Sequence, residues 1–552
     1  MAEEEVPVLI VGGSLVGLTA SVLLAAHGVP HLLVERHWGT AIHPRAASFH
    51  QRTMEIFRSV GLQEAVEAAA AREFVQNGAI VAVDSLSGRE LACFYRSYND
   101  GVEGLSPTSR LFITQVGLEP VLRDHARALG AELSFGTELA GFTKDEEGVS
   151  VRLRPRGGGP ERTIRARYLI AADGAHSPVR SELGIGMEGR GSFADCVTIY
   201  FKADLRALIG DRNLSVVYVN RPDLLAFFRF AITGDAGFLA VFATRDSDGR
   251  RGRHLTQGLA PERCAELVRS ALGVAADFPV EVENVQPWSA TADTASAFRA
   301  GPVFLAGDAA HVMPPTGGFG GNTGIGDVHN LAWKLAMVVK GEAGSELLDS
   351  YDAERRPLCR LIVEQAYRRY VDRVDPSLPA DNLAPPLDDA AIELGAICRS
   401  AAVLGETEAP GNGDLLEDPR LPSGRPGTRI PHLALRRNGT SVSTLDLAGT
   451  GFALLAGSRG QAWIEAAKAL SATDGPPLNA HRLAPDGDLA DPEGRFEQNV
   501  GIDPEGALLL RPDGVIAWRM LGSHADPRAT LDTVMRRLTF REIAAASPGP
   551  GL

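Results

Sequence analysis

Three short groups of glycines and acids have the types and spacing of residues that bind a phosphate-containing ligand. The first is Gly12-Gly13-Ser14-Leu15-Val16-Gly17, a G-x-G-x-x-G pattern with serine at its second glycine. Gly12 permits a tight turn and Gly17 lets a helix pack closely, which leaves backbone N–H groups to bind a pyrophosphate. Glu35 follows Gly12 by 23 residues, the spacing at which an acid accepts hydrogen bonds from ribose hydroxyls.

The second and third groups each follow a predicted strand. Asp173-Gly174 comes after Tyr168–Ala172, and Gly307-Asp308 comes after the apolar run Pro302–Ala306. At a strand end, the Asp308 carboxylate can accept hydrogen bonds from ligand hydroxyls. The glycine-rich loop 314–322 then exposes backbone amides to a flat ligand. The helix that begins at this loop adds partial positive charge, which suits an anionic ring.

A predicted βαβ unit positions the first group. Val6–Val11 is a short apolar run, Leu15–Ala26 has the composition of a buried helix, and His31–Glu35 is a second strand that ends in an acid. Because strand, helix, strand and acid are in register, we interpret the pattern as a dinucleotide-binding site. The literal match at Gly184–Gly189 follows no apolar strand, so we predict a plain loop there.

The pattern changes along the 552 residues predict about three domains and an α/β fold class. A Rossmann-like domain comes first, a β-rich substrate domain is inserted into it, and the last domain has the order βαβββα of a thioredoxin-like fold. No cysteine follows Cys398, so disulfide chemistry is excluded in the last domain. The predicted ranges are 1–75, 105–185 and 285–375 (Rossmann-like), 76–104 and 186–284 (β-rich), 376–427 (linker), 428–545 (thioredoxin-like) and 546–552 (disordered tail).

Composition excludes several classes of partner. Lysine and arginine number 55 against 69 aspartates and glutamates, a net charge of −14, which gives no general attraction to nucleic acid or to an anionic membrane surface. The five cysteines are scattered without metal-ligand spacing, and the sequence begins Met-Ala-Glu-Glu-Glu, unlike a signal peptide. We therefore expect a cytoplasmic protein without a metal, and we interpret residues 6–29, of near-transmembrane length, as a buried strand and helix.

In this order, the three groups resemble the signatures of the class A FAD-dependent aromatic monooxygenases, the p-hydroxybenzoate hydroxylase superfamily. Pro44-Arg45-Ala46 and Thr114-Gln115 are further pieces similar to that family. The segments Gly427–His432 and Leu510–Trp518 narrow the resemblance to the aromatic polyketide hydroxylases, such as the aklavinone (anthracycline) and angucycline hydroxylases.

The resemblance implies a non-covalent FAD in the Rossmann-like domain. It puts Arg45 and Gln115 beside the flavin and the amides of Gly321 and Asn322 at its pyrimidine end. The residues expected to bind FAD are Gly12, Ser14, Leu15, Val16, Gly17, Glu35, Arg36, Arg45, Ala46, Gln115, Asp173, Asp308, Pro315, Gly318, Gly320, Gly321 and Asn322.

The resemblance also implies a reaction. NADPH or NADH, a transient co-substrate, reduces FAD; O₂ then forms a flavin C4a-hydroperoxide, whose distal oxygen is transferred to a polycyclic aromatic polyketide in antibiotic biosynthesis. No obligate acid or base is implied, and Arg45 and Arg373 are the catalytic candidates. Arg369 and Arg373 share one helix face, which either touches substrate or is solvated. The aromatics of the β-rich domain either line a planar cavity or form core: Tyr200, Phe201, Tyr218, Phe227, Phe228, Phe230 and Phe238.

Several alternatives stay open at this point. A Baeyer–Villiger oxygenase or a simple phenol monooxygenase would share the same architecture. A non-catalytic protein that holds FAD and sequesters an aromatic antibiotic is a different class. A flavin halogenase is disfavoured because the five tryptophans form no W-x-W motif. The sequence does not choose between a monomer and a homodimer.

Overall fold

The computed structural model describes residues 4–43, 47–245, 251–252, 259–405, 414–471 and 475–541. The candidate residues Arg45 and Ala46 and the tail 546–552 lie outside these ranges. Three main sheets organise the described residues, and a separate two-stranded hairpin joins Ala434–Arg437 to Thr440–Ser443.

The first sheet is built around the predicted βαβ unit. The strand Glu4–Val11 pairs in parallel with His31–Glu35 and with Arg162–Ala171, and helix Leu15–Ala26 makes the crossover that parallel pairing requires. Residues Val8 to Ile10 are fully buried, as expected for a parallel strand covered on both faces. Across this eight-stranded sheet the strands are Arg299–Ala300, Val303–Leu305, Arg162–Ala171, Glu4–Val11, His31–Glu35 and Glu132–Phe135, with Thr137–Lys144 and Val149–Pro155 joined antiparallel beside Arg162–Ala171.

The second sheet has nine strands and is largely antiparallel. Helix Pro261–Leu272 covers one of its faces, and the apolar residues of that face pack beneath the helix. Its edge strand His311–Val312 leads directly into the glycine-rich loop, so the sheet and the loop are joined. The strands in order are His311–Val312, Glu281–Ala295, Met187–Lys202, Ala236–Arg245, Leu224–Phe230, Leu214–Arg221, Ala79–Val83 and Glu90–Tyr95, with Arg251–Gly252 beside Ala236–Arg245.

The longest helices connect these sheets to the candidate site. Phe319–Val339 begins at the glycine-rich loop and is buried along most of its length, and Asp349–Arg373 follows it. The other helices are Leu15–Ala26, Gln51–Ser59, Gln63–Glu73, Gln115–Ala128, Pro178–Glu182, Arg206–Ile209, Pro261–Leu272, Asp389–Leu394, Gln461–Ser471, Phe496–Val500 and Pro527–Leu538, and the short 3₁₀ turns are Gly307–Ala309, Ser345–Leu348 and Thr444–Asp446.

The C-terminal sheet has the predicted thioredoxin-like order. Phe452–Ala456 pairs in parallel with Leu478–Arg482 and antiparallel with Ala507–Leu510, which pairs with Ile516–Met520. A short helix, Phe496–Val500, is added between the second and third strands. The expected α/β class, with a β-rich second sheet and a thioredoxin-like third sheet, is confirmed.

A buried ion cluster fixes the C-terminal sheet to the two long helices. The Glu354 carboxylate accepts hydrogen bonds from Lys334 Nζ at 2.9 Å and from Arg511 at 2.6 and 3.0 Å. The side chains of all three residues are fully buried. Arg511 also pairs with Asp513, which lies beyond it on the C-terminal hairpin.

A second ion pair fixes the segment 425–433 to helix Gln51–Ser59. Arg429 pairs with Glu55, and Arg52 donates to the same carboxylate at 3.0 Å. Arg52 also donates to the carbonyl of Asp513 at 2.6 Å. Both clusters therefore hold the C-terminal part of the chain against helices of the first domain.

The Glu55 contact predicts sensitivity to acid. Burial alone would raise the pKa of Glu55, but the charges of Arg429 and Arg52 outweigh it and lower the pKa from 4.5 to about 2. This stabilisation is fully present above pH 4.5 and is lost as the pH falls toward 2. We expect Glu55→Gln to melt at a lower temperature than the wild type near pH 7, and to lose less between about pH 5 and pH 3. Equal pH slopes of the two melting temperatures would contradict the assignment.

Candidate active site

The turn after the first strand needs both predicted glycines. Gly12 has φ +106°, and a Cβ on it would lie 2.2 Å from the carbonyl oxygen of Ala172. A Cβ on Gly17 would lie 1.8 Å from the carbonyl oxygen of Gly12. Only glycine allows this close approach of helix and strand, so the N-terminus of helix Leu15–Ala26 is held directly beside the strand ends.

Glu35 lies beside this turn, as the spacing predicted. Its carboxylate accepts hydrogen bonds from the backbone N–H of Gly13 at 2.6 Å and of His37 at 2.7 Å. The side chain is buried, while the next residue, Arg36, is exposed. An acid is therefore fixed at the end of the second strand with a basic side chain next to it.

Glu119 belongs to this corner of the site, although its role was not predicted from the sequence. Ser14 donates to its carboxylate at 2.5 Å, and the N–H of Ala41 donates at 2.6 Å. Gln115, one helical turn earlier, donates to it at 3.2 Å. Burial raises the pKa of Glu119 against these hydrogen bonds. The i,i+4 spacing of Gln115 and Glu119 was the available signal.

Asp173 carries a buried acceptor atom without a protein partner. Its Oδ2 accepts the N–H of Val179 at 3.2 Å, whereas its buried Oδ1 has no hydrogen bond to any described residue. Burial also raises the pKa of Asp173. Arg180 donates to the carbonyl of Ala309 at 2.9 Å, which joins the second group to the third at one sheet edge.

The third group packs directly on the first. Gly307 has φ +61°, and a Cβ on it would meet the side chain of Val16 at 2.8 Å. The following residue, Asp308, is exposed at the end of its strand. Three groups that are far apart in sequence therefore surround one region at the carboxyl ends of the strands.

The glycine-rich loop ends in a helix N-terminus. Gly317 and Gly318 have φ +95° and +70°, and Gly318 precedes the first turn of helix Phe319–Val339. Both ends of the Asn322 side-chain amide form hydrogen bonds within the protein. Its oxygen accepts the N–H of His50 at 2.9 Å, and its nitrogen donates to the carbonyls of Gly318 and Ser48 at 2.7 and 3.0 Å. The exposed loop residue Pro315 and the half-buried Gly320 and Gly321 leave backbone near the surface of this loop.

Behind the loop lies a buried cluster of His311, Asp327 and Cys359. His311 Nε2 is 2.7 Å from Asp327, and Arg355 donates to the same carboxylate at 2.9 Å. Burial would raise the pKa of Asp327, but His311 and Arg355 lower it. His, Asp and Cys atoms this close resemble a metal-ligand set. However, the guanidinium of Arg355 already neutralises the carboxylate and opposes a cation.

The aromatic residues of the second sheet divide between its two faces. Tyr200, Phe227 and Phe238 lie on the face away from helix Pro261–Leu272, which we call the open face, with ring centroids 5.7 to 6.0 Å apart for the pairs that Phe238 makes. Tyr218 is 5.9 Å from Phe227 on that face. Of the two alternatives for the seven aromatics, the core applies to three, because side chains alternate along a strand and these pack under helix Pro261–Leu272: Phe201, Phe228 and Phe230.

The two candidate arginines of helix Asp349–Arg373 differ in environment. Arg369 is buried, ion-paired with Asp389, and its Cζ is 5.0 Å from the centroid of the Phe319 ring. A solvated face is therefore wrong for Arg369. Arg373 is half-buried, hydrogen-bonded with Tyr218, and lies 5.4 Å from the ring of Phe94, so it reaches the open aromatic face.

Two family models match this chain. The FAD binding domain matches residues 5–366, and the C-terminal domain of aromatic-ring hydroxylases matches residues 423–540. The chain belongs to the FAD-dependent aromatic-ring hydroxylases. The resemblance predicted from the three glycine and acid groups is therefore confirmed for this hydroxylase.

Curated relatives of the hydroxylase are similar over nearly their whole length. It is 47% identical to 4-methyl-5-nitrocatechol 5-monooxygenase from Burkholderia sp, over 97% of this chain and 98% of the relative. It is 39% identical to the tetracenomycin A2 monooxygenase-dioxygenase of Streptomyces glaucescens, over 100% of this chain and 99% of the relative. It is also 39% identical to an aklavinone 12-hydroxylase of Streptomyces purpurascens, over 98% of this chain and 100% of the relative.

Solved structures agree with these relatives. The aklavinone-11 hydroxylase, solved with FAD and aklavinone, matches at a TM-score of 0.90 and 38% identity over 98% of this chain and 100% of that one. A flavin-dependent monooxygenase in complex with FAD and substrate matches at a TM-score of 0.85 and 30% identity, over 98% of this chain and 99% of that one. The hydroxylase is thus a FAD-dependent monooxygenase that uses O₂ and NAD(P)H. Among its described residues, no helix is both long and apolar enough to cross a bilayer.

Proposed function

We propose that this monooxygenase hydroxylates a phenolic or quinone ring of a polycyclic aromatic polyketide in antibiotic biosynthesis. One observation carries the proposal: the open aromatic face of the second sheet adjoins the glycine-rich loop. Met313, immediately before that loop, packs against the apolar cluster that contains Phe242 of the sheet and also against the cluster that contains Phe319. A group of neighbouring rings, mutually tilted by 49 to 78°, offers both ring faces and ring edges to an aromatic ligand. The tetracenomycin and aklavinone relatives support the same class.

We also propose that the predicted residues hold FAD, and the protein fits this cofactor. The buried Asp173 Oδ1 without a partner is an acceptor suited to a ligand hydroxyl. The glycine turn and the N-terminus of helix Leu15–Ala26 suit a pyrophosphate. Bound FAD, reduced by NAD(P)H and reacting with O₂, supplies the oxygen-transfer chemistry. The first turn of helix Phe319–Val339 contains no acid among its described residues, so its positive end is available to an anionic ring.

Arg373 and Tyr218 are the side chains proposed to orient the substrate. Burial raises the pKa of Tyr218, although the Arg373 charge opposes this effect, so the hydroxyl stays protonated and can donate. The Arg373 guanidinium can stabilise an ionised phenol oxygen. Arg45 stays a prediction for flavin or nicotinamide contact.

A single-ring nitrocatechol is a second candidate substrate. The observation that favours it is the 47% identity to a 4-methyl-5-nitrocatechol monooxygenase over 97% of this chain. The same site would then hold a smaller phenol beside Arg373. The two candidates differ in the size of the ring system and not in the oxygen-transfer chemistry.

Anaerobic reduction of the flavin by NADPH and by NADH tests both candidates. An anthracyclinone and 4-nitrocatechol are compared as ligands by stopped flow. We expect the true substrate class to accelerate reduction more than about tenfold, and an oxygenated product to form when O₂ is admitted. NMR of the product distinguishes a new phenol from the lactone of a Baeyer–Villiger reaction. Binding of both ligands without acceleration or product would contradict the proposal and favour a sequestering protein.

Asp308→Ala tests the placement of FAD. We expect about tenfold weaker FAD binding, because a charge-assisted hydrogen bond to a ligand hydroxyl is lost. FAD content after purification and titration of the apoprotein with FAD measure the effect. Asp381→Ala removes one exposed acid elsewhere and serves as the control. Full FAD content and unchanged affinity in Asp308→Ala would show that the third group is misplaced.

We further infer a cytoplasmic enzyme, a monomer or a homodimer. All five cysteines are unpaired thiols, which agrees with a reducing compartment. Light scattering on the FAD-loaded protein measures the number of subunits directly.

A further inference from the structure

Arg229 is a buried cation without a carboxylate partner. Its residue is 3% exposed, and no described acid lies within ion-pair distance of it. Nη1 donates to the carbonyl of Ala47 at 3.1 Å, whereas Nε and Nη2 have no acceptor among the described residues. The guanidinium lies between the rings of Phe74 and Phe112, with Cζ 4.1 Å from each centroid.

Two phenyl rings and one carbonyl oxygen stabilise the charge of Arg229, but no described carboxylate neutralises it. Burial lowers its pKa to about 9, and Tyr98 and Glu73 oppose this only weakly. The Glu73 carboxylate accepts instead from the N–H and hydroxyl of Thr114 at 2.7 and 3.1 Å. A cavity of about 220 Å³ beside Arg229 is lined also by Arg206 and by no described acid. Burying an unpaired charge costs several kcal/mol, so its retention needs a reason.

Arg229 is connected to the candidate flavin loop. Ala47, which it binds, precedes Ser48, whose carbonyl accepts from Asn322 at 3.0 Å. Two residues later, the N–H of His50 donates to Asn322 at 2.9 Å and its ring contacts the Gly317 carbonyl at 3.1 Å. The segment 47–50 is therefore bound along its length to the loop 317–322.

The aromatic neighbours of Arg229 strengthen this connection. Tyr98 stacks on Phe112 at 4.2 Å between centroids, and its hydroxyl is hydrogen-bonded to Ser48. On the sheet, Arg229 is paired with Phe238, so it belongs to the same face as the open aromatic layer. The cation thus lies where the aromatic face meets the segment 47–50.

We infer that Arg229 is a positioning residue of the flavin site, which holds the segment 47–50 against the glycine-rich loop and favours the reduced, anionic flavin. This inference rests on the proposed FAD site. Hydride transfer from NAD(P)H would move two electrons and one proton to the neutral isoalloxazine ring, leaving the reduced ring with one negative charge and releasing NAD(P)⁺. That step creates the negative charge that Arg229 otherwise lacks. A carboxylate beside Arg229 would cancel this effect.

Two variants of the FAD-loaded enzyme test the inference. Arg229→Met keeps an unbranched side chain between the two phenyl rings, and Arg229→Lys keeps the charge. We expect Arg229→Met to lower the flavin midpoint potential, to raise the pH at which the reduced flavin ionises, and to slow reduction by NADPH about tenfold. Arg229→Lys should restore most of the potential. Without FAD, Arg229→Met should melt no lower than the wild type, because an unpaired buried charge is removed.

Arg212→Met is the matched control, since Arg212 is an exposed arginine that lines the same cavity. It should leave the potential unchanged. An unchanged potential in Arg229→Met, or an equal decrease in Arg212→Met, would overturn the inference. If Arg229→Met does not fold, Arg229→Gln tests the same loss of charge. A wild-type protein without FAD would instead refute the proposed function, so the two failures are distinguishable.

Discussion

Glu354→Ala is expected to destabilise the protein by about 3–5 kcal/mol, because it removes the carboxylate that pairs with two buried cations. Arg511 would then keep the Asp513 carboxylate, whereas the fully buried Lys334 would keep only its hydrogen bond to the Asn330 side chain at 2.8 Å. The hydroxyl of Ser400 would also lose its acceptor, which is now 2.6 Å away. Chemical unfolding monitored by the signals of Trp333 and Trp518, near the contact between the domains, measures the loss.

Asp372→Ala provides the control for this prediction. Asp372 lies on the same helix and pairs with Arg368, but its side chain is 44% exposed. We expect its loss to cost about 0.5 kcal/mol or less, as for other exposed pairs. Similar costs for the two substitutions would mean that the Glu354 cluster contributes no more than a surface pair. It would then not be what fixes the C-terminal sheet to the long helices.

The predicted βαβ unit is local, and this explains why the sequence was sufficient for it. The strand, turn, helix and acid between Val6 and Glu35 are neighbours in both sequence and space, so glycine spacing and apolar runs determine their arrangement. The C-terminal element order was similarly readable from short runs and the turn before Val515. The resemblance to the class A aromatic monooxygenases and the narrower one to the polyketide hydroxylases both depended on such local motifs.

Contacts between distant residues could not be predicted in this way. The nine-stranded sheet pairs Ala79–Val83 with Leu214–Arg221, which local patterns do not specify. Side chains alternate along a strand, so the sequence places Phe227 and Phe228 on opposite faces of the sheet. It does not show that helix Pro261–Leu272 covers the face of Phe228 and makes that residue part of the core. The ion pair of Arg369 with Asp389, in the predicted linker, is another long-range contact. That no described carboxylate pairs with the buried Arg229 is visible only when its surroundings are known.

Gly17→Ala is expected to abolish most FAD binding, since the added Cβ would lie 1.8 Å from the carbonyl oxygen of Gly12. That atom belongs to the backbone and cannot rotate away, so helix Leu15–Ala26 must move off the first strand. We expect a loss of about 3 kcal/mol in stability and about a hundredfold in FAD affinity. Thermal melting of the apoprotein and FAD titration measure the two effects separately.

Gly186→Ala is the informative comparison, because Gly186 is the second glycine of the literal G-x-G-x-x-G match at Gly184–Gly189. A Cβ on Gly186 meets no atom within 4 Å, and the residue precedes a strand rather than a nucleotide-binding helix. We expect its effect on stability to stay within about 0.5 kcal/mol, with FAD affinity unchanged. If both substitutions were equally mild, close packing of helix on strand would not be the reason for Gly17. Ser14 stands in the first motif where the second has Gly186, so the literal pattern is complete only in the match that leads into a strand, and the difference lies in the surrounding backbone.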